Sequence, residues 1–366
     1  MRRAPALLAS VSSAILILAA CGGGPTQVDN VAAPSTSDSS SAVASPAQPS
    51  PPPPPPAAPV RLAFAGDVNF TRGALAALER DPQTALADIA GILGDADFTV
   101  VNLETAVTSG GDPAPKEFNF RAPDTAFAAL QAAGVDAVSI ANNHGMDYGL
   151  TGLRDTLAAG QAAGMPVLGG GENEDEAFRP YVVELQGQRV AIVAATQVID
   201  SSLVDSWTAG PGTPGLASAK RVDRLLAAVT AAKQQADAVI VFLHWGTELQ
   251  TCPNEAQQTL APQLVQAGAA AVVGSHAHLL LGGGFLGSAY VHYGLGNFVF
   301  SASRDVTRAT GVLNLTLTDG VVSQSTWTPA RITDSIPQPL DPDSAAAASA
   351  EWESLRDCTG LSPVPG

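Results

Sequence analysis

Basic residues are scarce in this sequence. Lys and Arg number 18 against 34 Asp and Glu, a formal net charge of −16. That balance excludes a nucleic-acid partner, because a phosphate backbone would be repelled. It also repels a polyanionic substrate at long range, so any anionic substrate must be met by local arginines or by metal. The chain has no internal repeat, and beyond its N-terminus no run long and apolar enough to span a bilayer. Cysteine is rare, three in 366 residues, and so is histidine, with five. Each copy of either can be weighed individually.

The N-terminus reads as an export signal. Arg2 and Arg3 give a positive start, and Ala4 to Ala20 are almost all apolar or small. The stretch ends Leu18-Ala19-Ala20-Cys21, similar to a bacterial lipobox, which makes residues 1–21 a lipoprotein leader and Cys21 the lipidated first mature residue. Residues 22–59 are rich in Ser, Ala, Pro and Gly and cannot bury enough surface to offset their ordering entropy. They read as a disordered tether, with Pro51 to Pro56 a polyproline II rod of about 3.1 Å per residue. The expected location is extracytoplasmic, anchored to the cell membrane by lipid. With Cys21 lipidated, Cys252 and Cys358 remain. In an oxidising compartment they pair as a disulfide, worth about 4–5 kcal/mol on the chain-entropy account; otherwise they are two unpaired thiols.

About 300 residues remain, enough for one large domain or two small ones. Strand patterns at Arg61–Ala65, Phe98–Asn102 and Ala137–Ile140 alternate with helical patterns at Gly73–Leu78, Thr84–Leu93 and Thr125–Ala133. Further strands are expected at Tyr181–Leu185, Val190–Ala194, Ala238–Leu243, Ala271–Val273 and Tyr290–Tyr293, and at Gly311–Leu317 and Val321–Trp327. Gln186-Gly187-Gln188 and Asp319-Gly320 join two hairpins. The mixture predicts a layered α/β domain with sheets packed inside helices, over residues 60–335. Residues 336–366 are expected to add a C-terminal helix, Ser344 to Arg356, and a tail.

Polar residues collect at the C-terminal ends of these strands, where ligand sites gather in open α/β sheets. Asp67 follows the first, Glu104 the second, and Asn143 and His144 the third; His244, then His276 and His278, follow two later ones. Four of the five histidines stand in such loops. His292 falls inside a strand and is read as a packed or hydrogen-bonded core residue. Carboxylates, neutral imidazoles and an asparagine oxygen are the donor set of borderline divalent metals. Two such metals, about 3.5–4 Å apart, would activate a water and clamp a phosphoryl or similar oxyanion.

The stretches AGDVNFTRG, VVNLETAVT, FNFRAPD, VDAVSIANNHGMDYG, VIVFLHWGTEL, AAVVGSHAHLL and YGLGNFVFS, in this order, resemble the CapA-type (capsule and poly-γ-glutamate biosynthesis) branch of the calcineurin-like metallophosphatase superfamily. The resemblance runs from about Val60 to Trp327. It implies a layered αββα sandwich, two mixed sheets flanked by helices, holding two divalent metal ions (Mn, Fe or Zn). On matching positions it implies that Asp67 and His278 bind the first metal, that Asn143, His244 and His276 bind the second, and that Glu104 bridges. His144 would face the substrate as proton donor. Arg72, Arg121 and Asn69 fall to the substrate side. The wider superfamily has histidine where Asn69 stands and aspartate where Glu104 stands, which puts metal occupancy and phosphatase activity in question.

The function so implied is a cell-envelope hydrolase of capsule or poly-γ-glutamate metabolism, acting on a phosphoester or a γ-glutamyl bond. Two alternatives stay open. One is a non-catalytic accessory lipoprotein that binds nascent polymer or a polymer-synthase complex. The other is a general envelope metallophosphoesterase.

Overall fold

A computed structural model describes residues 58–366. The expected leader, the lipid attachment at Cys21 and the tether up to residue 57 lie outside the described residues. No helix among the described residues is long and apolar enough to cross a membrane.

The first strand, Val60–Val68, is buried along all but one residue. It reads as a near-continuous apolar run, as a strand covered on both faces does. Its period of two divides it: Leu62 and Phe64 point one way, Ala63 and Ala65 the other. It lies inside an eight-stranded sheet. On one side it pairs parallel with Phe98–Leu103, followed by Ala137–Ser139 and Val167–Leu168. On the other it pairs antiparallel with Ala309–Thr318, then Val321–Thr333 and Ile336–Pro339. A second sheet has six strands, in the order Gly283–Leu286, Ala289–His292, Ala271–His276, Ala238–Trp245, Gln188–Thr196 and Tyr181–Leu185. Its centre is parallel and each edge is a hairpin.

The two sheets pack face to face. Leu62, Phe64, Val100 and Leu313 from one share a core with Ile192, Ile240, Phe242 and Val273 from the other. The alternate residues face outward onto helices. Ala63 and Val101 meet Ile89, Leu93, Phe127 and Leu153, while Val193 and Val241 meet Leu225, Val229, Leu260 and Leu264. The architecture is the αββα sandwich. Truncating a side chain at its centre, such as Phe64, costs about 3–5 kcal/mol.

Local chemistry places the joints. Gln186 and Gly187 have φ of 51° and 80°, and Asp319 and Gly320 have 50° and 77°, the left-handed pair that a tight hairpin needs. Asn254 and Gln257 form a capping box at the start of helix Glu255–Ala267.

The structure carries the domain past the boundary expected at 335/336. Ile336–Pro339 pairs with Ala330–Thr333, so it belongs to the first sheet. The C-terminal helix spans Pro342–Ser354, two residues earlier at each end than expected, because Asp341 caps it and Pro342 starts it. Its Trp352 is buried and stacks on Trp327 and His292. Beyond it Cys358 is bonded to Cys252, with Cα atoms 5.8 Å apart. The tail then pairs with the edge strand through Ser362 and Phe285.

Candidate metal centre

The parallel strands of both sheets end at one place. Asp67 lies at the end of the first strand, Glu104 directly after Phe98–Leu103, and Asn143 and His144 after Ala137–Ser139. From the second sheet come His244, within Ala238–Trp245, and His276 at the end of Ala271–His276. The backbone N–H of His276 donates to Asp67 Oδ2 at 3.3 Å, joining the sheets. Two glycines permit the close packing. A Cβ on Gly66 would lie 1.9 Å from the Gly296 carbonyl oxygen, and one on Gly274 would lie 2.2 Å from Trp245 Nε1. His276 and His278 hold positive φ, 95° and 55°. For residues with a Cβ such geometry costs on the order of 1–3 kcal/mol each and concentrates at functional sites.

Glu104 is wholly buried, and neither carboxylate oxygen has a hydrogen-bond partner. His244 Nε2 lies 3.5 Å from Glu104 Oε1 and 2.8 Å from Asn143 Oδ1. On the far side of that ring, Nδ1 lies 3.0 Å from Ser275 Oγ and 3.1 Å from the Asn102 amide nitrogen, which fix the ring's orientation. His276 Nδ1 is buried without a partner. His278 Nδ1 is 3.3 Å from Asp67 Oδ2 and 2.8 Å from Asn297 Oδ1. Two ligand groups result: Glu104, His244 and His276, and Asp67, Glu104 and His278, each with donor atoms within 4.8 Å of one another. Glu104 belongs to both.

Burial, and then Asp67, push the Glu104 carboxyl well above the usual carboxylate range. Burial and then His278 bring His276 down to about 4, and burial drives His244 well below its ordinary value. For His278 burial works against the charge, but Glu104 and Asp67 outweigh it and raise the ring to about 10. The orphaned Glu104 oxygens, grouped with His244, His276 and His278 around an unpartnered His276 Nδ1, fit borderline divalent cations, which would satisfy both at once.

His144 sits beside this cluster in different surroundings. Its Nδ1 is 2.6 Å from Asp147 Oδ2, and the ring of Phe120 stacks on it at 4.1 Å. Burial lowers its pKa against the pull of the Asp147 hydrogen bond. Its backbone N–H donates to Asn142 Oδ1 at 2.9 Å, and the Asn142 amide donates to Asn102 Oδ1 and the Leu103 carbonyl. Asn102 in turn donates to Asp67 Oδ1 at 2.8 Å. These amides tie the strand ends into one frame.

The residues expected on the substrate side are placed differently from one another. Asn69 is buried, accepts from Thr71 Oγ1 at 3.0 Å, and leaves its amide nitrogen without a partner. Arg72 is exposed, at φ 52°, just before helix Gly73–Arg80. Arg121, expected at a substrate anion, is exposed, stacks on Tyr148 at 3.6 Å and donates to the carbonyls of Gly110 and Gly111. From the same FNFRAPD motif it is Phe120 that reaches the site. Lys116 and Asp147 were not singled out from sequence, and no spacing rule links them. Asn102, Asn142 and Asn297 stood inside the quoted motifs without an assigned role.

The family described as "Bacterial capsule synthesis protein PGA_cap" matches residues 61–302. The "PGA biosynthesis protein CapA" of Bacillus subtilis (strain 168) is 28% identical over 299 residues, covering 81% of this chain and 77% of that protein. A "Probable polyglutamine synthesis accessory protein" of Mycobacterium tuberculosis (strain ATCC 25618 / H37Rv) is 32% identical over 189 residues, half the length of each. Among solved structures, a hypothetical protein from Thermus thermophilus aligns with a TM-score of 0.49 at 17% identity, over 75% of this chain and all of that one.

Proposed function

Because the chain belongs to the bacterial capsule synthesis protein family PGA_cap, we propose that it acts in cell-envelope polymer metabolism as a two-metal hydrolase of a phosphoester or γ-glutamyl bond. One observation carries this reading: Glu104 is buried with both oxygens unpartnered and belongs to two overlapping ligand groups. Mn, Fe or Zn would suit that donor set. When bound, such a pair supplies Lewis acidity toward the scissile group and an activated water.

The chain's own residues do the rest. Asp67 and Glu104 supply the negative charge, and His244, His276, His278 and Asn143 complete the donors. Asn102, Ser275 and Asn297 hold Asp67, His244 and His278 in place. His144 directs Nδ1 at Asp147, which leaves Nε2 for a proton bound for the leaving group. The Phe120 ring covers one face of that imidazole and limits water there. We further propose an extracytoplasmic setting, with lipid on Cys21 holding the chain at the membrane.

The test combines elemental analysis with hydrolysis of bis-p-nitrophenyl phosphate and γ-glutamyl peptides. Asp67→Ala and His276→Ala should lose metal, and turnover should fall at least about 100-fold. A second reading, an accessory protein that binds polymer or its synthase without turnover, is favoured by Asn69 standing where the wider superfamily has histidine. Full metal content with no hydrolysis of either substrate class would select it.

A further inference from the structure

Lys116 reaches the site from an irregular segment between the short strands Ala106–Val107 and Arg121–Ala122. Its side chain is only 8% exposed. The ammonium lies 2.6 Å from Asp147 Oδ1, donates to the Asn143 carbonyl, and sits over the Trp207 ring at 5.2 Å. Asp200 is 3.9 Å away. The same segment grips Asp147 twice more: Phe120 N–H donates to Oδ2 at 2.6 Å, and Ala114 N–H donates to the Asp147 carbonyl at 2.8 Å.

An ammonium only donates and a carboxylate only accepts. Asp147 therefore takes Lys116 on Oδ1 and both the His144 ring and Phe120 N–H on Oδ2. The 3.2 Å approach of Lys116 to His144 Nδ1 is then a contact between two donors, tolerated because both point at the same carboxylate. Remove the ammonium and Asp147 becomes a wholly buried carboxylate with Oδ1 uncompensated, which is strongly unfavourable. Its hold on one His144 tautomer goes with it. Lys116 also pins the peptide carbonyl between Asn143, a candidate ligand, and His144.

We propose that Lys116 is a positioning residue for the candidate reaction, acting through Asp147 to fix the His144 ring with Nδ1 protonated and Nε2 turned to the substrate. Its meaning for catalysis rests on the hydrolase reading; its effect on the ring does not, and the two are tested apart. With five histidines in the chain, selective ¹⁵N-imidazole labelling resolves each ring, and His144→Gln assigns the one concerned. In the full chain, with the metal it carries as purified, His144 should show one slowly exchanging Nδ1–H. In Lys116→Met that signal should broaden or give way to a tautomer mixture, with metal content and the other four rings unchanged. Lys116→Arg, which keeps donor and charge, should restore it, and guards against loss of the Met variant to misfolding. Where turnover is measurable, Lys116→Met should lower kcat about 10–100-fold with KM little changed. The double variant with Asp147→Asn should be no worse than Asp147→Asn alone. An unaltered His144 spectrum in Lys116→Met, or additive losses in the double variant, overturns the proposal. Absence of turnover in the wild type with the spectral change intact would count against the hydrolase reading alone.

Discussion

Glu104 and Asp147 are both carboxylates at zero exposure beside the same strand ends, yet their surroundings are opposites. Asp147 has its charge matched from within the chain, by Lys116 on one oxygen and by His144 and a backbone N–H on the other. Glu104 has a second carboxylate and three imidazoles for neighbours and no hydrogen bond at either oxygen. Burying a charge without a partner is among the most costly things a fold can do. The Asp147 half has its charge matched as it stands, with Oδ1 met by Lys116 as an ion pair and not as a hydrogen bond. On the proposed reading, the Glu104 half is completed by cations from outside.

The sharpest way to break this contrast is to neutralise each carboxylate in turn. Glu104→Gln should reduce bound metal from two equivalents to one or none and lower hydrolysis at least about 100-fold, by elemental analysis and initial rates. His144→Gln, in the other half, should keep both metals while turnover falls about 100- to 10,000-fold. If both variants lose metal equally, the division between the halves is wrong.

Metal removal sharpens the contrast through pH. In metal-free protein Glu104 has a folded pKa raised above 4.5, and His278 is raised from 6.5 to about 10. In both cases the folded state binds more protons than the unfolded one, so stability is lost as pH rises toward the folded values. His276, lowered to about 4, works the other way below pH 6.5, where the unfolded state binds more protons. The metal-free protein should therefore be most stable near pH 6.5 and melt progressively lower toward pH 10. Metal-loaded protein should lose much of that alkaline decline, because cations replace the protons. Thermal melts across pH with and without chelator measure it.

The smallest effect on the site is expected from the disulfide, which serves neither half. Replacing Cys252 and Cys358 with Ser should cost about 2–5 kcal/mol of stability, read from denaturant midpoints, and leave metal content unchanged.

Much of this was legible in the sequence, for reasons that particular residues make clear. The strands at the sandwich centre announce themselves because Val60–Val68 and Ala238–Trp245 are apolar on both faces, and the two glycine-bearing hairpins because only left-handed backbone closes them. Gly283–Leu286 was not visible as a strand, being short and opening on two glycines. Nor was Asn297–Val299, three residues made a strand by pairing with Asp67 and Val68, far away in sequence. Ile336–Pro339 carries two prolines and stays a strand by lying at an edge. In the site, metal-type residues at strand ends could be named one by one. The partnership of Lys116 with Asp147 could not, since it exists only through space, and the stacking of Arg121 on Tyr148 likewise leaves no trace in local spacing.

Anomalous diffraction from crystals of the metal-loaded protein, recorded at the absorption edge of the bound metal, tests the central claim most directly. Two peaks are predicted, each about 2.0–2.2 Å from an oxygen of Glu104, one beside His244 and His276 and the other beside Asp67 and His278. No peak, or density bound away from Glu104, would contradict it.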